Sequence, residues 1–188
     1  ADRARFEVVR NGGWGLADNM YKGTVVVKGN ASAIAALAIR GAEVIVRGNI
    51  GSRAGQVMKA GTLCCAGNAS FMAGYMMYGG RIIILGDPGE KLGEDMIGGE
   101  IYVGSAIKSL GADAVQTDMT EDDRSSVMEF LDAHQISFKG TLQKVVNAGK
   151  KLRYDKDEAR RRPIPFFTFS GTAQYWNHKV QEDIFIKS

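Results

Sequence analysis

Short apolar runs recur along this chain at a fixed interval of 19 residues. They are Thr24-Val25-Val26-Val27-Lys28, Glu43-Val44-Ile45-Val46-Arg47, Thr62-Leu63-Cys64-Cys65-Ala66, Arg81-Ile82-Ile83-Ile84-Leu85 and Glu100-Ile101-Tyr102-Val103. Phe6-Glu7-Val8-Val9 fits one interval earlier, so about six repeats are visible. Runs of four or five β-branched and apolar residues bounded by Gly and Asn read as strands. A fixed period of this length means that one small unit stacks on copies of itself. Nineteen residues are too few for a helix pair, and the leucine and asparagine spacing of leucine-rich repeats is missing. The fold class that remains is all-β, a single-stranded parallel β-helix (β-solenoid) of 19-residue coils. Each coil climbs one strand spacing, about 4.8 Å.

Other columns keep the same register. Gly29, Gly48, Gly67 and Gly86 are each followed by Asn or Asp, and Asn11 extends that second column one coil earlier. Gly23, Ala42, Gly61, Gly80 and Gly99 form another column, Met20, Ile39, Met58, Met77 and Met96 another, and Ala17, Ala36, Gly55, Gly74 and Gly93 a fourth. We read the glycines as corners, where the chain bends in conformations that disfavour other residues. The Asn column then forms a hydrogen-bonded ladder along the stack, as stacked amides do.

Alternation along the strands assigns the faces. Val25, Val44, Leu63, Ile82 and Ile101 point inward, as do Val27, Val46, Cys65, Ile84 and Val103. The column between them is Val26, Ile45, Cys64, Ile83 and Tyr102. It points outward and yet is apolar. A stripe of that length does not stay wet, so the C-terminal segment or a partner chain is expected to cover it. This stripe and the aromatic tail are where function is sought.

The register fails after Ser105. Thr120 is an N-cap signal, with Glu121, Asp122 and Asp123 in the first turn. Val127, Phe130, Leu131 and His134 follow on one helical face. This helix is expected to cap the last coil and cover its strand edge, with a second helix over 141–150. The extended, proline-punctuated tail holds Phe166, Phe167, Phe169, Tyr175 and Trp176, and is expected to dock on the outward stripe or on another subunit. The organisation expected is a glycine-rich β-helix over 1–117, a helical cap and basic segment over 118–162, and an aromatic tail over 163–188.

Composition changes this picture little. The chain has 188 residues, 24 of them Gly and only three Pro, without a collagen period. Residues 139–162 carry nine basic and three acidic side chains. No stacking aromatics interleave them as single-strand binders need, so they read as a solvated face and nucleic acid is not expected as a partner. No apolar run approaches the ~18 residues of a membrane span and no signal peptide is recognisable, so a cytoplasmic, non-membrane protein is expected. The chain starts at Ala1 without a methionine, which fits processing or a fragment.

Candidate chemistry is sparse. Cys64 and Cys65 are adjacent on one strand and face opposite ways, which suits no disulfide framework or metal spacing. His134 reads as a packed histidine and His178 lies in a polar tail. Ser70 and Ser105 lie near glycines with no evident base, and no Gly-x-Ser-x-Gly elbow occurs. Gly13-Trp14-Gly15 lacks the βαβ context of a dinucleotide loop. No catalytic, cofactor-binding or metal-binding residue is assigned, and an independent hydrolase is the least favoured reading.

One resemblance adds to this. A consensus Gly-x-x-Met-x-Gly-Gly-x-Ile-x-Val-x-Gly-Asn is legible at 55–61 and at 74–87. It resembles the glycine-rich (GXGXG) domain that closes the large subunit of glutamate synthase, and related coils occur in a component of formylmethanofuran dehydrogenase. The stretch 104–113 looks like the segment that ends the coils in stand-alone glutamate-synthase-like subunits, such as the small β-helix subunit of N-methylglutamate synthase. The likeness spans roughly residues 6–150. It implies a right-handed β-helix without catalytic residues of its own. It also implies a scaffold role beside a glutaminase-like part and an FMN-binding synthase-like part that carries an iron–sulfur cluster. A one-carbon complex of the formylmethanofuran dehydrogenase kind is the alternative, and a homo-oligomer is left open.

Overall fold

The computed structural model describes residues 4–149, which fall within one compact unit, Ala1–Lys150. The aromatic tail from Phe166 through Trp176, His178 and the basic run Arg160-Arg161-Arg162 lie outside the described residues. Six strands stack in parallel: β1 (Arg5–Val8), β2 (Thr24–Val27), β3 (Arg40–Val46), β4 (Ala60–Cys65), β5 (Arg81–Ile84) and β6 (Glu100–Val103). Each pairs with the next at an offset of 19, as in Val25↔Val44, Leu63↔Ile82 and Ile82↔Ile101. The β-solenoid expected from the period is therefore present, with about five turns from β1 to β6. The one slip lies between Arg40 and Glu43, where Ala42 stands in the glycine column.

The inward columns make a continuous core. Val27, Val44, Val46, Leu63, Cys65, Ile82, Ile84, Ile101 and Val103 are fully buried, with Ile39, Met58, Met77 and Met96 packed among them. Stacking identical side chains one strand spacing apart gives each apolar side chain two like neighbours, and full burial of one such side chain is worth about 1.5–3 kcal/mol.

The glycine columns have two different causes. Gly23, Gly61, Gly80 and Gly99 turn into the strands with φ of 98°, 93°, 85° and 85°, the left-handed region that glycine reaches freely. Gly29, Gly48, Gly67 and Gly86 do not have positive φ, so the corner explanation fails for them. There a Cβ would collide with the side-chain oxygen of Asn11, Asn30, Asn49 or Asn68 in the coil before. Those oxygens accept from the backbone N–H of Asn30, Asn49, Asn68 and Asp87, at 2.8–2.9 Å. The Asn ladder thus exists, but it runs from side chain to backbone and needs a bare Cα beside it. It ends where Asp87 turns its carboxylate to the Gly89 N–H and Ser105 replaces the next glycine, donating to the Gly86 carbonyl.

The non-repetitive end departs from expectation. The stretch 141–150 holds no helix among its described residues. It holds β8 (Gln143–Asn147), which pairs antiparallel with β6, and β7 (Ala114–Thr117) pairs antiparallel with β8. The edge of the last coil is therefore closed by a strand, and Val145 plugs the core with no exposure. A strand satisfies the row of unpaired backbone groups on β6, which a helix cannot do. The helix α1 (Glu121–Ala133) begins at Thr120 as expected, with Asp123 completing a capping box. It lies on the outer sheet face and not over the end of the stack.

That position answers what covers the outward stripe. Val127, Phe130 and Leu131 of α1, with Ile136 and Leu142, form a second core with Val26, Ile45, Cys64, Ile83 and Tyr102. The stripe is covered by residues of the chain's own compact unit, and neither the aromatic tail nor a partner is needed. Among the described residues no helix is long and apolar enough to cross a membrane.

Candidate interaction surface

Among the described residues, the reactive side chains singled out from the sequence are engaged in holding the fold; His178 lies outside them. Cys64 lies under α1 and Cys65 inside the solenoid, and burial pushes both thiols up to about 12. The Cys65 Sγ donates to the Gly48 carbonyl at 3.2 Å. His134 stacks on Phe130 with ring centroids 4.5 Å apart, and its Nε2 sits 3.4 Å from Glu43. Burial lowers its pKa against the opposing pull of that carboxylate. Ser70 Oγ meets Ser52 Oγ at 3.2 Å.

One polar cluster stands out. The Lys144 ammonium lies 2.6 Å from Glu100 and 2.7 Å from Asp123, and the Tyr102 hydroxyl donates to both carboxylates. Lys144, above all, holds the Asp123 carboxyl well below its usual range. Burial alone would lower the Lys144 pKa, but the two carboxylates outweigh it and the net shift is upward. Burial and the same carboxylates raise the Tyr102 hydroxyl. The cluster joins β6, α1 and β8. With Arg81, which reaches Ser126 and lies over the Phe130 ring, it pins the helix on the sheet. Every member is matched, so its chemistry is that of a staple.

The surface left open is the wall opposite in character to the helix-covered face. Between the strands, each of the first five coils passes through three left-handed residues spaced two apart: 15, 17 and 19; 34, 36 and 38; 53, 55 and 57; 72, 74 and 76; 91, 93 and 95. Their φ values lie between 51° and 76°. Eleven of these fifteen positions are not glycine, and Ile34 and Val57 are β-branched, for which this conformation is a genuine outlier. Each costs about 1 kcal/mol or more, so the stack must impose it. It does so through hydrogen bonds that alternate up and down. Arg53 N–H donates to Phe71 in the next coil, Gly55 N–H to Ala35 in the coil before, and Val57 N–H to Tyr75 in the next, at 2.8–3.0 Å.

This backbone turns some side chains in and others out. Ala35, Ala54, Ala73 and Leu92 enter the core. Ile34, Leu37, Val57, Phe71, Met72, Tyr75 and Met76 belong to neither core cluster. They form an outward apolar surface centred on coil 4, the coil that starts with β4. Trp14 (75% exposed), Tyr21 (67%), Tyr78 (45%) and Phe71 (38%) are its most open large side chains. Cations border it, with Arg53 over the Tyr75 ring at 5.6 Å and Lys59 over the Tyr78 ring at 4.6 Å. Sequence reading missed this wall because its residues follow no strand alternation. The signal available was that Met72 and Met76 stand two residues to either side of Gly74 in the column of Ala and Gly.

Comparison with known proteins agrees with the repeat. No curated protein and no solved structure matches the chain. The family model of the GXGXG motif matches residues 16–151, the stretch that carries the stacked coils, the helix and the closing strands. On that match, which spans well over half of its length, the chain belongs to the GXGXG motif family.

Proposed function

We propose that this chain is a non-catalytic assembly unit of a glutamate-synthase-type complex. GXGXG domains occur in glutamate-synthase-type proteins, and family membership supports that setting for this chain. One observation carries the reading. The residues that recur in every coil are used up by the stack, and what the stack offers outward is an apolar wall on a backbone held rigid by hydrogen bonds on both sides. Surface apolar area of this kind marks protein contact. The partners in this reading are a glutaminase-like part and an FMN-binding, iron–sulfur-containing synthase-like part, in the cytoplasm. The chain itself binds neither cofactor. A stand-alone subunit like the small one of N-methylglutamate synthase is the form proposed.

Co-expression tests it. A tagged form of this chain, produced with glutaminase-type and FMN-binding synthase-type subunits, should bring both down in fixed ratio, with flavin absorbance in the complex and none on the chain alone. Recovery of the tagged chain free of both subunits would overturn the reading.

A further inference from the structure

At the rim of the wall, the corner that leads into the strands carries a column of its own at the 19-residue interval: Tyr21, Arg40, Lys59 and Tyr78. All four side chains are exposed. Stacking sets neighbouring members about 4.8 Å apart along the column. Arg40 and Lys59 therefore stand as adjacent like charges, an arrangement that destabilises a sheet. Among the described residues each cation meets a ring and no carboxylate. Arg40 leans back over the Tyr21 ring at 5.3 Å, and Lys59 leans forward over the Tyr78 ring at 4.6 Å. The two charges thus part, and a notch opens between them. Ala38, Gly41, Val57 and Ala60 flank it along the chain, uncharged and shorter than either cation. Lys22, also exposed, adds a third positive charge to this corner. The nearest carboxylates along the chain are engaged elsewhere. Asp18 accepts from the Asn19 side chain at 2.7 Å, and Glu43 meets Thr24 and His134.

We infer that this ridge receives an acidic segment of a partner subunit, with one Asp or Glu carboxylate seated between Arg40 and Lys59 and the two tyrosines closing on either side. The inference rests on the reading of the chain as an assembly unit and names the chemistry of one contact. A carboxylate in the notch accepts charge-assisted hydrogen bonds from both cations and relieves the repulsion that stacking builds in. Tyrosine and arginine are among the residues that carry most of the binding energy at protein contacts. Here the order ring, cation, cation, ring surrounds one negative charge with two apolar flanks. Nucleic acid fits this ridge less well. A single strand follows a track of cations over about four nucleotides or more and stacks its bases on open ring faces. The ridge spans only three coil spacings, about 14 Å, and the face that each tyrosine turns to the notch is taken by its own cation.

Residue-resolved NMR titration of the full chain tests this with two probes, a capped pentaglutamate peptide and penta-uridylate. Pentaglutamate should shift the amides of Arg40 and Lys59 and the ring signals of Tyr21 and Tyr78. Arg40→Gln/Lys59→Gln should weaken that binding by about tenfold or more. Both positions are exposed, so the fold should stay intact. Arg10→Gln, at an exposed cation on another corner, should leave the response unchanged. In co-expression with glutaminase-type and FMN-binding synthase-type subunits, the same double variant should lose at least one of them. Pentaglutamate shifts that miss the ridge, larger shifts there from penta-uridylate, or full recovery of both subunits by the double variant would each overturn the proposal. An unaltered chain that answers pentaglutamate at the ridge and brings down neither subunit would overturn the assembly reading and leave the acid-binding ridge in place.

Discussion

The two apolar faces of this solenoid are built by the same 19-residue repeat and meet opposite fates. On the sheet face the backbone is extended, and the column from Val26 to Tyr102 disappears under α1. On the turn wall the backbone alternates through left-handed residues, and Phe71, Met72, Tyr75 and Met76 stay outside both cores. The difference lies in the non-repetitive segment. Residues after Ser105 return over one face, staple it through Lys144, Asp123, Glu100 and Tyr102, and leave the other bare. A repeat decides which side chains form a column. The segment that interrupts the repeat decides which column is buried.

The largest expected effect removes what both faces share. Gly61→Val places a β-branched residue at φ 93° with its Cβ against the Ala42 carbonyl. It should cost on the order of 4 kcal/mol or more and abolish a single cooperative melt followed by circular dichroism. Retained full stability would mean that the corner is not rigid.

Next, truncating matched aromatics separates the faces. Phe130→Ala uncovers the sheet stripe and should cost about 3–5 kcal/mol in denaturant melts at low protein concentration. Phe71→Ala on the wall should stay within about 0.5 kcal/mol. Equal costs would erase the distinction between a covered and an open face.

Acid should loosen the covered face first. Asp123 has a folded pKa below its unfolded one. Its contribution is therefore fully present above the unfolded carboxylate value of about 3.9 and is lost as pH falls from there through the lower folded value. His134, with its pKa also lowered, binds its proton more readily when unfolded, so stability should begin to fall as pH drops through about 6.5. Melts of Asp123→Asn should lose the lower step and keep the upper one. A profile unchanged by Asp123→Asn would show that the staple does not hold α1.

The smallest effect is a gain. Ala17 is left-handed at φ 62° in a column that is glycine in coils 3 to 5. Ala17→Gly should raise stability by a few tenths to about 1 kcal/mol, read as a higher melting temperature. A loss would mean that its methyl group, packed against the core, matters more than the backbone.

Much of the fold was legible because period, Gly–Asn pairs and inward Val and Ile all repeat at 19, and stacking turns a period directly into contact. Thr120 and the apolar face of α1 were legible as local chemistry. The position of α1 was not, since Val127, Phe130 and Leu131 state that a helix buries one face and leave open which surface receives it. β8 was missed because Gln143-Lys144-Val145-Val146-Asn147 is short and carries its meaning only through the open edge of β6. The left-handed wall was invisible for a stronger reason. Ile34, Val57 and Met76 have no preference for that conformation, and only hydrogen bonds from the coils above and below impose it. The candidate surface depended on both of these tertiary facts, so the outward stripe was mistaken for it.

The central claim, one covered face and one open wall, is tested most directly by thiol labelling under native conditions. Cys64 lies under α1 and Cys65 in the core, both thiols pushed up to about 12 by burial, while Met72→Cys adds a thiol on the wall. Met72→Cys, at a partly exposed position, should react many times faster than Cys64, which should label only as fast as the chain unfolds globally. Rapid native-state labelling of Cys64, with Met72→Cys protected, would contradict the account.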